Sequence, residues 1–122
     1  MTFQVPRDDG LFYRQTLFDQ AKIVVLKVGS AVLTTADGLN IDFIDTLCHQ
    51  VSFLRTSGRQ VILVSSGAVA AGRKRLRVHR HPDEELRVKQ ALAAVGQGLL
   101  MQAYEQRFAR HNEQKVAQIL LT

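Results

Sequence analysis

Two stretches decide how this chain folds: Ile23-Val-Val-Leu-Lys-Val-Gly-Ser30 and Val61-Ile-Leu-Val-Ser-Ser-Gly67. Each is an apolar, mostly β-branched run that ends in a small polar turn containing glycine. Alternation of apolar and polar residues is missing from both. A continuous run of this kind suits a strand buried on both faces, as in a parallel sheet. Residues 23–28 and 61–64 are therefore read as strands.

The flanks fit that reading. Residues 29–39 hold two Gly, two Thr and an Asp and read as a loop. Residues 41–56 read as a helix, with Asn40 as its cap and Gly58 as its stop. Ile41, Ile44, Leu47, Cys48, Val51 and Leu54 recur at three and four residues and form one apolar stripe. Residues 83–111 read as a second long helix, with Asp83, Glu84 and Glu85 suited to its first turn. Within it Gly96 and Gly98 mark a break, a bend or a close helix contact. Residues 116–121 form a third strand candidate. In residues 11–20, Leu11, Arg14, Leu17 and Phe18 sit near helical spacing, which suggests a short leading helix. The order strand, helix, strand, helices, strand implies right-handed crossovers onto an open parallel sheet with helices on both faces. The expected fold is a three-layer α/β/α protein.

In such sheets ligands bind beyond the carboxyl ends of the strands, and both unusual turns lie there. Lys27 ends the first strand with an ammonium on a rigid element. Gly29 lets backbone N–H groups approach an anion, and Ser30 adds a hydroxyl. These residues suit a phosphate that gathers charge during transfer. The order of a Walker A loop is absent. A lysine leaving a strand end into a glycine turn explains the same residues without a ligand. Ser65-Ser66-Gly67-Ala68 ends the second strand and opens a helix, so two hydroxyls and a helix N-terminus can receive a carboxylate or a phosphate. Simple capping by Ser66 is the plainer alternative.

Composition narrows the function classes. The 122 residues carry 16 Lys/Arg and 11 Asp/Glu, a formal charge of +5. The whole excess lies in Arg73-Lys-Arg-Leu-Arg-Val-His-Arg-His81, because the segments on either side each sum to zero. Five cations in nine residues could support a salt-sensitive contact with nucleic acid. The segment lacks aromatics for base stacking, so a nucleic-acid partner is not expected. No apolar run approaches the roughly 20 residues of a membrane span, and Met1–Gly10 has no signal-peptide core. Cys48 is the sole cysteine, which excludes an internal disulfide and fits a reduced, cytoplasmic setting. At an apolar helix position it reads as buried and inert; a nucleophile is the alternative. His49, His79, His81 and His111 read as solvated surface. No metal site is expected.

Three segments taken together carry a family resemblance. Ile23-Val-Val-Leu-Lys-Val-Gly-Ser-Ala-Val-Leu-Thr34, Val61-Ile-Leu-Val-Ser-Ser-Gly-Ala-Val-Ala-Ala-Gly-Arg73 and Lys89-Gln-Ala-Leu-Ala-Ala-Val-Gly-Gln97 closely resemble the glutamate 5-kinases of the amino acid kinase superfamily. The resemblance runs from about Ala21 to Thr122. It implies transfer of the γ-phosphoryl group of ATP, with Mg2+, to the side-chain carboxylate of L-glutamate, the first step of proline synthesis. Lys27 matches the lysine that stabilises the transferring group, and Gly29 and Ser30 match its phosphate loop. Ser66 and Gly67, with Ala68 beside them, match residues that hold glutamate. Residues 1–20 become an N-terminal extension, and 21–122 the amino-terminal, glutamate-binding half of the kinase domain.

The same resemblance sets out the departures. Glutamate 5-kinases run to roughly twice this length or more and continue with a nucleotide-binding half. The chain is thus expected to hold an incomplete domain of the amino acid kinase type, inactive alone, and to self-associate as a homo-oligomer through an open strand edge. Its basic segment is more charged than the family loop, which often has Gly where Arg77 stands. A sibling kinase acting on another acid, and a non-catalytic module using residues 73–81, are the competing readings.

Overall fold

The computed structural model describes residues 7–112 and 114–119. A leading helix α1 spans Arg7–Gln20, followed by strand β1 at Ile23–Val28. A one-turn helix α2 at Ser30–Leu33 leads into a two-residue hairpin, β2 (Thr34–Thr35) with β3 (Gly38–Leu39). Helix α3 (Ile41–Thr56), strand β4 (Gln60–Ser65), helix α4 (Ala68–Leu76) and helix α5 (Leu86–Ala109) complete the order.

The α/β class and the parallel pairing are as expected. β1 and β4 run parallel in a continuous register from Ile23↔Gln60 to Val28↔Ser65. The strands pair because α3 returns the chain beside β1, as a parallel crossover requires. Asn40 caps α3 as predicted, its Oδ1 accepting from the Phe43 N–H at 3.2 Å. The apolar stripe of α3 buries Ile44, Leu47, Cys48 and Val51. These residues meet Val28, Leu33, Leu100, Ala103, Tyr104 and Phe108 in one core, with Leu26, Val61 and Leu63 of the sheet against it.

Four expectations are corrected. The strands are not buried on both faces: Ile23, Val25, Ile62 and Val64 are 47–61% exposed, so among the described residues helices cover one face only. Residues 29–39 are not a plain loop. The Ser30 carbonyl accepts from both the Thr34 N–H and, at 2.9 Å, the Thr34 hydroxyl, which closes α2 as burial of Leu33 holds it on the core. No third strand forms over 116–119, where no ladder partner is present among the described residues; residues 120–121 of that candidate lie outside them. The leading helix exists and begins earlier than its apolar spacing suggests, yet Leu11, Leu17 and Phe18 are exposed rather than packed. Its visible ties are the Arg59 guanidinium, 5.1 Å from the Phe18 ring centroid, and an Arg59 hydrogen bond to the Phe18 carbonyl.

The alternatives left open at Gly96 and Gly98 resolve to a close contact. Helix α5 runs unbroken through both. A Cβ on Gly96 would stand 1.6 Å from the Ala68 carbonyl oxygen, and one on Gly72 would stand 1.8 Å from that of Leu92. Helices α4 and α5 therefore meet backbone to backbone, an approach that only glycine permits at these positions.

Candidate functional site: a cationic cleft at the strand ends

The two turns singled out in the sequence come together. Just past the end of β4, the Ser66 N–H donates to the carbonyl of Val28, the last residue of β1, at 2.9 Å. Gly67 then takes a left-handed conformation with φ of 99°, which turns the chain sharply from β4 into α4. A side chain there would be strained. The turn rests on the other loop, since a Cβ on Gly67 would lie 3.5 Å from the Ser30 Cα. Ser66 does not cap α4 with its side chain, so the simple capping explanation is not realised.

A cleft of about 540 Å³ opens beside this junction. Ser30, Ser66, Gly67 and the first turn of α4 (Ala68, Val69, Ala70) line one part of it. The first N–H groups of a helix lack intrahelical partners and carry the positive end of its dipole. Arg73, Lys74, Arg80, Glu84 and Lys89 line the rest.

Four of the six predicted site residues thus share one cleft: Ser30, Ser66, Gly67 and Ala68. Lys27 and Gly29 are adjacent but do not line it. Lys27 is exposed and follows Ile23 and Val25 on the uncovered face of the sheet. Gly29 has an ordinary φ of −82° and open space where a Cβ would stand. Neither backbone strain nor packing calls for glycine at that position.

The cationic wall was not foreseen as part of the site. Arg73 and Glu84 form a two-pronged ion pair, with Nη1 to Oε1 at 2.7 Å and Nη2 to Oε2 at 2.6 Å. Both side chains are largely covered, at 18% and 6% exposure. The hydrogen bond from Arg73 holds the Glu84 carboxyl below its ordinary range, and the Arg73 guanidinium is pushed further up by the same bond. Bidentate pairs of this geometry are among the stronger charge-assisted bonds. No periodicity signals them, because the pairing depends on how the chain turns between α4 and α5.

Three further groups were placed by sequence. Cys48 is fully buried and burial pushes its thiol up to about 12, which leaves the inert reading. His49, His79 and His81 are exposed as expected. His111 is not solvated surface: its Nε2 lies 3.1 Å from Asp45 Oδ1 and its ring stands edge-on to His49. Ser52 donates to the His111 carbonyl rather than to its ring, so Ser52 is not a nucleophile held by the Asp45–His111 pair. Among the described residues no group of three or more His, Cys, Asp or Glu could hold a metal ion. No helix among them is long and apolar enough to cross a membrane.

A parallel α/β sheet with a cleft lined by helix N–H donors and cations at its carboxyl edge is suited to receiving an anion. The chain matches the Amino acid kinase family over residues 22–122 and belongs to it. Within that family it is similar to glutamate 5-kinases. It is 52% identical over 109 residues to that of Desulfotalea psychrophila, covering 89% of this chain and 29% of that protein. It is 54% identical over 112 residues to that of Trichlorobacter lovleyi, with the same coverage. It is 51% identical over 102 residues to that of Thermus thermophilus, covering 84% of this chain and 27% of that protein. The chain therefore spans under a third of the length of these relatives.

Proposed function

We propose that this chain supplies the acid-substrate half of a glutamate 5-kinase, which transfers the γ-phosphoryl group of ATP to the side-chain carboxylate of L-glutamate. The observation that carries the proposal is the junction of the two strand-end turns, tied by the Ser66 N–H to the Val28 carbonyl and opening on the first turn of α4. About 50% identity to glutamate 5-kinases over most of the chain supports the choice of substrate.

In the proposed reaction a γ-carboxylate oxygen attacks the terminal phosphorus, the P–O bond to ADP breaks, and an acyl phosphate forms. Ser66, Gly67 and Ala68 hold glutamate by hydroxyl and N–H donation. Gly29 and Ser30 offer an N–H and a hydroxyl to phosphoryl oxygens. Lys27 is the catalytic residue, its ammonium neutralising charge that gathers on the transferring group. Its four-carbon stem has to fold over the strand end from the uncovered face to reach that position. The donors here are cationic or neutral, and the one acid lining the cleft among the described residues, Glu84, is committed to Arg73. They fit phosphate and carboxylate oxygens and do not fit coordination of Mg2+, so no step is assigned here to that ion.

Residues 21–122 are proposed as one glutamate-binding unit, and residues 1–20 as its extension. A cytoplasmic setting and self-association through an open edge of β1 or β4 complete the proposal. Light scattering that finds only monomer at high concentration rejects the self-association. The reading of 73–81 as a free interaction surface is not favoured, because Arg73 is paired and Lys74 and Arg80 line the cleft.

Titration of the isotopically labelled chain with L-glutamate tests the proposal. Amide shifts should concentrate at Ser30 and Ser66–Ala70, and Ser66→Ala should weaken binding about tenfold, as loss of a hydrogen bond to a charged group does. Shifts confined to other surfaces, or a Ser66→Ala variant that binds as tightly, would sink it.

A further inference from the structure

The segment joining α4 to α5 is folded onto itself and onto the cleft. It begins at Arg77, where the chain takes a left-handed turn with φ of 55°. The Arg77 and Val78 N–H groups bond back to the Lys74 and Arg73 carbonyls. Further on, the Glu84 N–H donates to the His81 carbonyl and the Asp83 N–H to His81 Nδ1. Arg73 fastens both ends of this stretch. It grips the Glu84 carboxylate in two-pronged fashion and donates to the His79 carbonyl at 3.4 Å. Between those two anchors sits Arg80, a lining residue of the cleft.

Glu84 feels the charges of Lys89 and Arg80 at longer range, but its contact partner is Arg73. Arg73 and Glu84 neutralise each other, while among the described residues no acid lies within ion-pair distance of Lys74, Arg80 or Lys89. An array of unpaired cations around a small cleft attracts an anion and selects for the number and placement of its charges. Distance along α4 separates this array from the Ser30–Gly67 junction. From Ala68 to Lys74, the member of the array on that helix, the axis advances roughly 9 Å, at about 1.5 Å per residue, a span that a five-carbon diacid covers once a hydrogen bond is added at its end.

We propose that residues 77–85 are a strap, fastened by the Arg73–Glu84 pair, that sets Arg80 beside Lys89 as the reader of the second carboxylate of a short dicarboxylic substrate. Arg80 and Lys89 are specificity-determining residues, and Arg73 and Glu84 are positioning residues that act through the strap. The inference rests on the reading of the cleft as a glutamate site: the reacting carboxylate lies at the strand-end junction and the non-reacting one at the cationic wall.

Three probes separate the possibilities on the full 122-residue chain: L-glutamate, glutarate and 4-aminobutyrate, which keeps a single carboxylate. Both diacids should bind about tenfold more tightly than 4-aminobutyrate, the scale of one charge-assisted contact. Arg80→Gln with Lys89→Gln should bring that ratio close to one. Glu84→Gln should lower the ratio and speed hydrogen exchange of the 78–85 amides, and Glu84→Asp should recover part of both. A merely structural Glu84 would lower the melting temperature and leave the ratio alone. Ser66→Ala should weaken all three ligands together and leave the ratio unchanged. A ratio unmoved by the Arg80/Lys89 double variant overturns the strap inference while glutamate binding at the cleft still stands. Absence of binding by either diacid overturns both.

Discussion

The two faces of the β1/β4 sheet carry nearly the same kind of residue and have opposite fates. Leu26, Val28, Val61 and Leu63 face α3 and α5 within the core. Ile23, Val25, Ile62 and Val64 stand on the other side and remain about half exposed. Residues of either parity are mostly apolar, with Lys27 and Gln60 on the open face and Ser65 on the covered one, so the strand sequence alone does not mark which face is buried. Only contact with helices makes one of them a source of stability. Apolar surface contributes in proportion to the area removed from water, and on the uncovered face little has been removed.

The covered side should be broken most completely at the seam between α4 and α5. Gly96→Ala places a methyl group 1.6 Å from the Ala68 carbonyl oxygen. Backbone cannot yield as a flexible side chain can, so the helices must part. The expected loss exceeds about 3 kcal/mol, the upper end of overpacking costs, and urea unfolding would measure it. Gly98→Ala, two residues along the same helix, meets open space. It should instead stabilise by about 0.5–1 kcal/mol. Equal losses at the two glycines would show that the seam is not packed as described.

The next contrast sets the two faces directly against each other. Leu100 is 1% exposed at the centre of the core, and Leu100→Ala should cost about 3 kcal/mol in the same unfolding experiment. Val25→Thr on the open face keeps β-propensity and loses little buried area, so its effect should stay within about 0.5 kcal/mol. A large loss at Val25 would mean that this face is covered in solution.

These contrasts show which parts of the molecule were legible in the sequence. The helix over 41–56 was readable to its ends because local chemistry sets them: Asn40 bonds the Phe43 N–H and Gly58 turns the chain out of the helix. The strand cores were readable as strands, and the turns after them as two loops at one sheet edge, which the Ser66–Val28 bond brings together. One-sided burial was not readable, because it depends on what lies across the sheet and not on the strand. The hairpin at 34–39 was hidden by its short, polar residues, which read as loop. The cationic wall was hidden for a different reason. Arg73 and Glu84 are eleven residues apart in sequence and meet through a turn whose path no periodicity encodes. Lys89 was visible inside a recognised segment, yet nothing in the spacing tied it to the strand ends.

Acid should weaken the covered side selectively. The Asp45 carboxyl is held below its ordinary range, chiefly by the His111 hydrogen bond and further by the charges of His111, Arg110 and Arg107. Glu84 is lowered by Arg73. A carboxyl depressed in the folded state stabilises it fully above the unfolded value near 4, and that contribution disappears as pH falls through the lower folded value. The urea midpoint should therefore hold near neutrality and drop below about pH 4. Asp45→Asn should flatten part of that drop, whereas changes on the open face should leave its shape alone. An acid limb unchanged by Asp45→Asn would remove this pair from the account.

A small effect is also expected where two helices end in the same way. Helix α3 closes with the Gly58 and Arg59 N–H groups bonded to the Arg55 and Leu54 carbonyls, and Gly58 takes φ of 91°. Helix α4 closes with the corresponding pair, Arg77 and Val78 to Lys74 and Arg73, but with Arg77 in the left-handed position at φ of 55°. Both follow the Schellman pattern, in which glycine is the usual residue because a Cβ crowds the backbone there. Relief of that crowding is worth about 1 kcal/mol, and the greater freedom of glycine in the unfolded chain takes back part of it. Arg77→Gly should therefore stabilise by less than about 1 kcal/mol. Gly58→Arg should destabilise by a similar or larger amount, since it adds the strain without removing any. The pair of swaps also bears on the strap, which starts at Arg77. Its side chain does not line the cleft, so Arg77→Gly should leave the preference for diacids over 4-aminobutyrate unchanged. A fall in that preference would place Arg77 among the residues that position Arg80.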